Sequence, residues 1–126
     1  MNVSDKYLRD LLREVVSIRA GGHCEFPGCQ NTECDPAHRF TKKNLSLRYN
    51  ADACLFLCAN HHTIDLFSAH RSPDEFWRYI IKSGVRSQEW EDKIIKTKNI
   101  IITGFEDAFR ETCNNRLLEE LGMLAA

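Results

Sequence analysis

The 126-residue chain has no apolar run approaching the roughly 18–20 residues that a membrane span requires, which predicts a soluble protein. Its opening, Met1-Asn2-Val3-Ser4-Asp5-Lys6, lacks the apolar stretch of a secretory signal, so nothing directs its six cysteines to an oxidising compartment. An excess of one charge is missing too. Seventeen Lys and Arg face 18 Asp and Glu, a formal net charge of −1, and the global balance does not announce a nucleic-acid binder. Internal repeats, linkers and low-complexity tails are absent. With 43% hydrophobic residues, one modest core and one domain over residues 1–126 are expected.

Reduced cysteines at short spacings argue for metal before disulfide. Cys24 and Cys29 form one knuckle-like pair, and Cys58 and His61, some thirty residues on, form a second. Three thiolates and one imidazole make a tetrahedral structural zinc set, which would staple a small core in its middle. Cys34, Cys54 and Cys113 are left as small buried thiols. A secreted, disulfide-framed protein is a third reading, and it would need all six cysteines paired.

The charge is unevenly placed. Arg39, Lys42, Lys43 and Arg48 fall between Ala37 and Asn50 with no acid among them, whereas the last stretch carries Glu106, Asp107, Glu111, Glu119 and Glu120. Positive charge therefore concentrates around the cysteine and histidine cluster.

Tyr7, Leu8, Leu11, Leu12, Val15 and Val16 recur at helical spacing and predict an amphipathic helix ending near Ala20-Gly21-Gly22. Residues 23–58 lose that period and predict two short strands, at about 33–39 and about 52–57, joined by a basic loop. Asn60 to Phe67 is expected as a short helix. Ser72-Pro73-Asp74-Glu75 reads as a capping-box start for a helix running to Lys82-Ser83-Gly84. Ser87 is expected to cap a helix bearing Trp90, Ile94 and Ile95. Thr103 and Glu106 are expected to open a last one bearing Phe105, Phe109, Leu117, Leu118 and Leu121. The class is thus α+β and mostly helical, with an N-terminal helix over 1–22, a zinc-stapled core over 23–77 and C-terminal helices over 78–126.

Cutting a phosphodiester at neutral pH takes a base for water and a cation for the charge that develops on phosphate and leaving oxygen. His38, in the first strand beside the basic loop, is a candidate base. His62 follows His61 and on a helix points about 100° away from it, so the two adjacent imidazoles can serve two metals. His70, with Asp65 as a competitor, is available as a second ligand for a magnesium- or manganese-type ion.

Residues 19–77 resemble the His-Asn-His endonucleases, or ββα-metal nucleases, and look closest to small phage and bacterial members. The resemblance rests on Arg19-Ala20-Gly21-Gly22-His23-Cys24-Glu25-Phe26-Pro27-Gly28-Cys29, Ala37-His38-Arg39-Phe40-Thr41-Lys42-Lys43, Leu45-Ser46-Leu47-Arg48-Tyr49, Leu57-Cys58-Ala59-Asn60-His61-His62 and His70-Arg71-Ser72-Pro73-Asp74-Glu75-Phe76-Trp77. It implies a ββα-metal core, structural zinc on Cys24, Cys29, Cys58 and His61, His38 as general base, and His62 with His70 at the catalytic metal. A cytoplasmic setting in a bacterial host, with the chain encoded by host or phage, follows from the same resemblance.

Two positions depart from the family. Its middle asparagine falls on Ala53, for which Asn50 is the nearest substitute amide. The position before the base, often histidine or aspartate, is Ala37, and Asp35 is the nearest carboxylate.

Arg39, Lys42, Lys43 and Arg48 are expected to contact phosphates of DNA around the cut bond without reading sequence. One site in one domain makes a nick the simplest product. The acidic, apolar C-terminal helices are expected to cover the core or to make a homodimer or protein-partner contact. The rival reading is a non-catalytic zinc module that binds DNA or protein, and Ala53 favours it.

Overall fold

The structure is a computed structural model and describes residues 3–103 and 106–125. Its first helix, α1 (Asp5–Arg19), starts on Ser4, whose hydroxyl accepts the Tyr7 N–H at 3.1 Å. It stops at the glycine pair, where Gly21 N–H donates to Ile18 and Gly22 N–H to Ser17. Those two bonds form a Schellman cap, and they require the left-handed φ of +74° that glycine takes without penalty. Leu8, Leu11, Leu12, Val15 and Val16 are buried along one face, as their spacing predicts.

Beneath that face lies a two-stranded antiparallel sheet, β1 (Cys34–His38) and β2 (Cys54–Cys58), in the register Cys34↔Cys58, Pro36↔Phe56 and His38↔Cys54. Cys-Leu-Phe-Leu-Cys of β2 is buried at every position, so both of its faces are covered and no polar alternation is called for. Pro36 is tolerated because a two-stranded sheet leaves every residue of β1 on an edge. Between the strands, a short helix α2 (Leu45–Arg48) and a 3-10 turn (Ala51–Ala53) interrupt the basic loop.

After β2 the chain departs from expectation. The helix expected through Phe67 is a single π-helical turn, Asn60–Ile64, after which Asp65 is extended. The chain then doubles back so that Ala69 N–H donates to His61 and His70 N–H to His62. The reason is apolar: leaving the helix lets Phe67 join Phe26, Phe76 and Tyr79, with ring centroids 5.7–6.3 Å from its own.

Helix α3 (Pro73–Lys82) begins at Pro73 as expected, but without the capping box. The Ser72 hydroxyl instead donates backwards to the Leu66 carbonyl, closing that doubled-back segment. Helix α4 (Gln88–Lys98) is capped by Ser87, whose hydroxyl accepts the Trp90 N–H at 3.1 Å. Trp90 and Ile94 are buried there, while Ile95 is exposed. Helix α5 (Glu106–Ala125) packs on α1, burying Cys113, Asn114 and Leu117 and leaving Leu118 exposed. Phe105 lies outside the described residues, and the helix is described from Glu106. The fold is α+β and a single domain, and among the described residues no helix is long and apolar enough to cross a membrane.

Candidate functional site

The Cys24–Cys29 knuckle is a tight turn. Gly28 supplies a φ of +81°, Cys29 N–H donates to the Phe26 carbonyl at 3.0 Å, and Glu25 N–H is tied to Phe56 of β2 at 2.8 Å. That tie holds Cys24 and Cys29 over the end of β2, where Cys58 and the π-helical turn present Cys58 and His61. The four ligand atoms lie within 4.8 Å of one another: Cys58 Sγ is 3.2 Å and Cys24 Sγ 3.6 Å from His61 Nδ1, and Cys29 Sγ is 3.9 Å from Cys58 Sγ. Phe26 stacks on the His61 ring at 4.0 Å and 10°, fixing its plane. Burial pushes the Cys24 thiol up to about 12, so a neutral thiol persists there unless a cation takes the proton's place. These four residues form a cluster able to hold a metal ion.

Three of the other four histidines line a groove of about 1120 Å³, His23 being held at the Cys24 carbonyl instead. His38 and Asp35 of β1, His62 of the π-helical turn and His70 of the returning segment all line it. Of the adjacent pair, His61 belongs to the cysteine cluster and His62 lines the groove. The His62 and His70 rings meet edge to face, with centroids 4.6 Å apart. Burial, His70 and His38 lower the His62 pKa against the opposing pull of Asp35, favouring the neutral imidazole.

His38 Nε2 lies 3.0 Å from the Arg48 carbonyl oxygen. A carbonyl can only accept, so Nε2 carries the proton and Nδ1 is the ring's acceptor. Burial lowers the His38 pKa and Lys42 lowers it further, outweighing the Arg48 carbonyl.

Comparison with protein-family models, curated proteins and solved structures finds no match. The site must be judged on its own geometry.

Several expected members are placed elsewhere. Asn50 does not reach the groove: its side chain accepts the Asp52 N–H at 3.0 Å and caps the 3-10 turn. The bond to His38 comes instead from the Arg48 carbonyl, two residues earlier. Ala53 is fully buried, and its own carbonyl accepts the Arg39 N–H. Asp65 lies outside the groove in the exposed segment after the π-helical turn, because the chain turns back there. Asp35 lines the groove but is paired with Arg13 at 3.0 Å. Among the described residues, Cys24, Cys29, Cys58 and His61 are the one set of three or more ligands drawn close together.

Lys42, Lys43 and Arg48 line the groove beside His38, as their clustering suggests. Arg39 does not act with them. Its guanidinium is held by both carboxylate oxygens of Glu91 on α4, at 2.7–3.0 Å, and lies over Phe40 and Trp77. Sequence reasoning also missed Arg9, Arg13 and Arg110 on the same groove. Their partners Asp5, Asp35 and Glu106 make them look like ordinary solvated pairs, and two of the three are at i,i+4 spacing.

Proposed function

We propose that the chain is a metal-dependent DNA endonuclease of the His-Asn-His kind, with structural zinc on Cys24, Cys29, Cys58 and His61 and with His38 as general base. The observation that carries this reading is a histidine whose Nε2 is committed to a backbone carbonyl, in one basic groove with a pair of imidazoles.

The zinc assignment rests on ligand chemistry and spacing. Bonds of roughly 2.3 Å to sulfur and 2.0–2.1 Å to nitrogen in a tetrahedron set the ligand atoms roughly 3.5–3.8 Å apart. Three of the six separations, 3.2, 3.6 and 3.9 Å, bracket that edge, and all six lie within 4.8 Å. Thiolates with an imidazole are the soft set that favours zinc over magnesium or calcium.

His38 donates its Nε2 proton to the Arg48 carbonyl and accepts a proton from water at Nδ1. Its depressed pKa keeps it neutral, and so competent as a base, at neutral pH. His62 and His70 would hold a magnesium- or manganese-type ion, with the Asp35 carboxylate on the same groove. When bound, such an ion neutralises charge on the phosphate and the leaving oxygen. Lys42, Lys43 and Arg48 contact backbone phosphates, which positions the strand without reading its sequence.

A second reading, a zinc module that binds DNA or protein without cutting, is favoured by Ala53, where the family's asparagine is replaced by a methyl group with no exposure. Nicking of supercoiled plasmid separates the two. The nuclease reading expects nicks that stop when magnesium- and manganese-type ions are removed while the zinc stays bound. Intact plasmid across metals and substrates favours the binding module.

A further inference from the structure

The chain as a whole is almost neutral, yet its groove is not. Seven Arg or Lys side chains line it against three Asp, and with Arg39 held by Glu91 and Arg110 paired with Glu106 a local excess of two positive charges remains. Three of the seven, Lys42, Lys43 and Arg48, belong to the loop after β1, at the His38 end of the strand. Arg13 anchors at the other end, with one guanidinium nitrogen on the Cys34 carbonyl and another on Asp35, both at 3.0 Å. Four strand steps separate those ends, roughly 13 Å at 3.3 Å per residue, which matches the axial rise of roughly four nucleotides along one strand of a duplex. Arg9, one helical turn before Arg13, and Arg110 of α5 continue the second bank.

We propose that Arg9 and Arg13 of α1, with Arg110 of α5, form a second phosphate-binding bank, so that a nucleic-acid backbone is held on both sides of His38. This rests on the nuclease reading for its partner, and it assigns α1 and α5 a binding role beyond packing. The existing pairs do not stand in the way. Arg9 with Asp5 and Arg13 with Asp35 are exposed to solvent, and pairs of that kind exchange readily for another anion. An acidic protein surface is disfavoured as the occupant, because cations spaced along both banks of a groove suit a regular polyanion.

The test uses His38→Ala protein, which cannot consume its ligand, and a short fluorescein-labelled DNA duplex titrated between roughly 50 and 200 mM salt. Adding Arg9→Gln and Arg13→Gln together is expected to lower the slope of log K against log salt by about 2, at roughly 0.9 for each phosphate no longer neutralised. Lys6→Gln, which removes one charge from the same helix but off the groove, is the control and is expected to leave the slope unchanged. Zinc content, measured on each variant, verifies the fold. A slope that does not move, a drop no larger than that given by Lys6→Gln, or no binding by the parent overturns the proposal. An unmoved slope in a protein whose wild type nicks plasmid sinks this inference alone. The expected drop in a protein whose wild type never cuts upholds it and sinks the nuclease reading.

Discussion

The Nε2 atom of His38 and the carbonyl oxygen of Arg48 are 3.0 Å apart, and this one contact decides which ring nitrogen carries the proton and which is left as the acceptor. The bond orients the imidazole from a backbone group, which no side-chain substitution can delete. Heteronuclear NMR of the His38 ring is therefore expected to show the Nε2–H tautomer. An Nδ1–H tautomer would contradict the assignment of Nδ1 as base.

The same residue sets a pH dependence. Burial holds the His38 pKa below its ordinary 6.5, so the folded protein resists protonation that the unfolded chain accepts. Its contribution to stability is complete above 6.5 and is lost as pH falls from there through the folded pKa. On the nuclease reading activity follows the same direction, since the neutral form of His38 persists below 6.5. The acid limb of kcat/KM is expected below pH 6.5, and an inflection at or above that value would contradict it.

On the zinc reading of the Cys24, Cys29, Cys58 and His61 cluster, removing the metal should unfold the centre. Cys29→Ser is expected to cost about 3 kcal/mol or more, about 10 °C in melting temperature, and to lose the metal. Cys34→Ala, which removes a thiol outside the four-ligand cluster, should keep one zinc per chain. Metal analysis and thermal denaturation read both, and equal zinc loss from the two variants would count against the ligand set.

Arg39 is expected to matter for stability and little for nucleic-acid binding. Its side chain and that of Glu91 are only 16% and 12% exposed, so removing either leaves a poorly solvated charge. Glu91→Ala should cost about 3 kcal/mol in chemical denaturation, as breaking a buried pair does. A change below about 0.5 kcal/mol, the level of a surface substitution, would contradict the buried-pair account.

Ala53→Asn tests whether the family's amide was simply misplaced. Ala53 is fully buried in the hydrophobic core, so an added amide must displace its neighbours. The substitution should destabilise by about 1–3 kcal/mol, through overpacking and an unpaired amide, and should not raise activity. Higher nicking activity in the folded variant would show that the missing asparagine limits catalysis.

What could be read in the sequence was local. Cys24 with Cys29 and Cys58 with His61 are pairs whose short spacing almost dictates convergence, and Ser87 caps its helix as its position before Trp90 suggests. What could not be read depends on partners far along the chain. Glu91 claims Arg39 from 52 residues away. Phe67 breaks the expected helix because Phe26 and Phe76 await it across the fold. Asn50, a plausible brace for His38, finds a nearer donor in Asp52, and a backbone carbonyl, invisible to any pattern of side chains, takes its place.

The most direct test of the account is nicking of supercoiled plasmid by the wild type and by His38→Ala, both shown to hold zinc, in magnesium or manganese. The account predicts nicked circles from the wild type and a rate lower by about 10²–10⁴-fold for the variant, the usual range for a lost general base. Equal rates in the two proteins would contradict His38 as the base, and intact plasmid with both would contradict the nuclease reading itself.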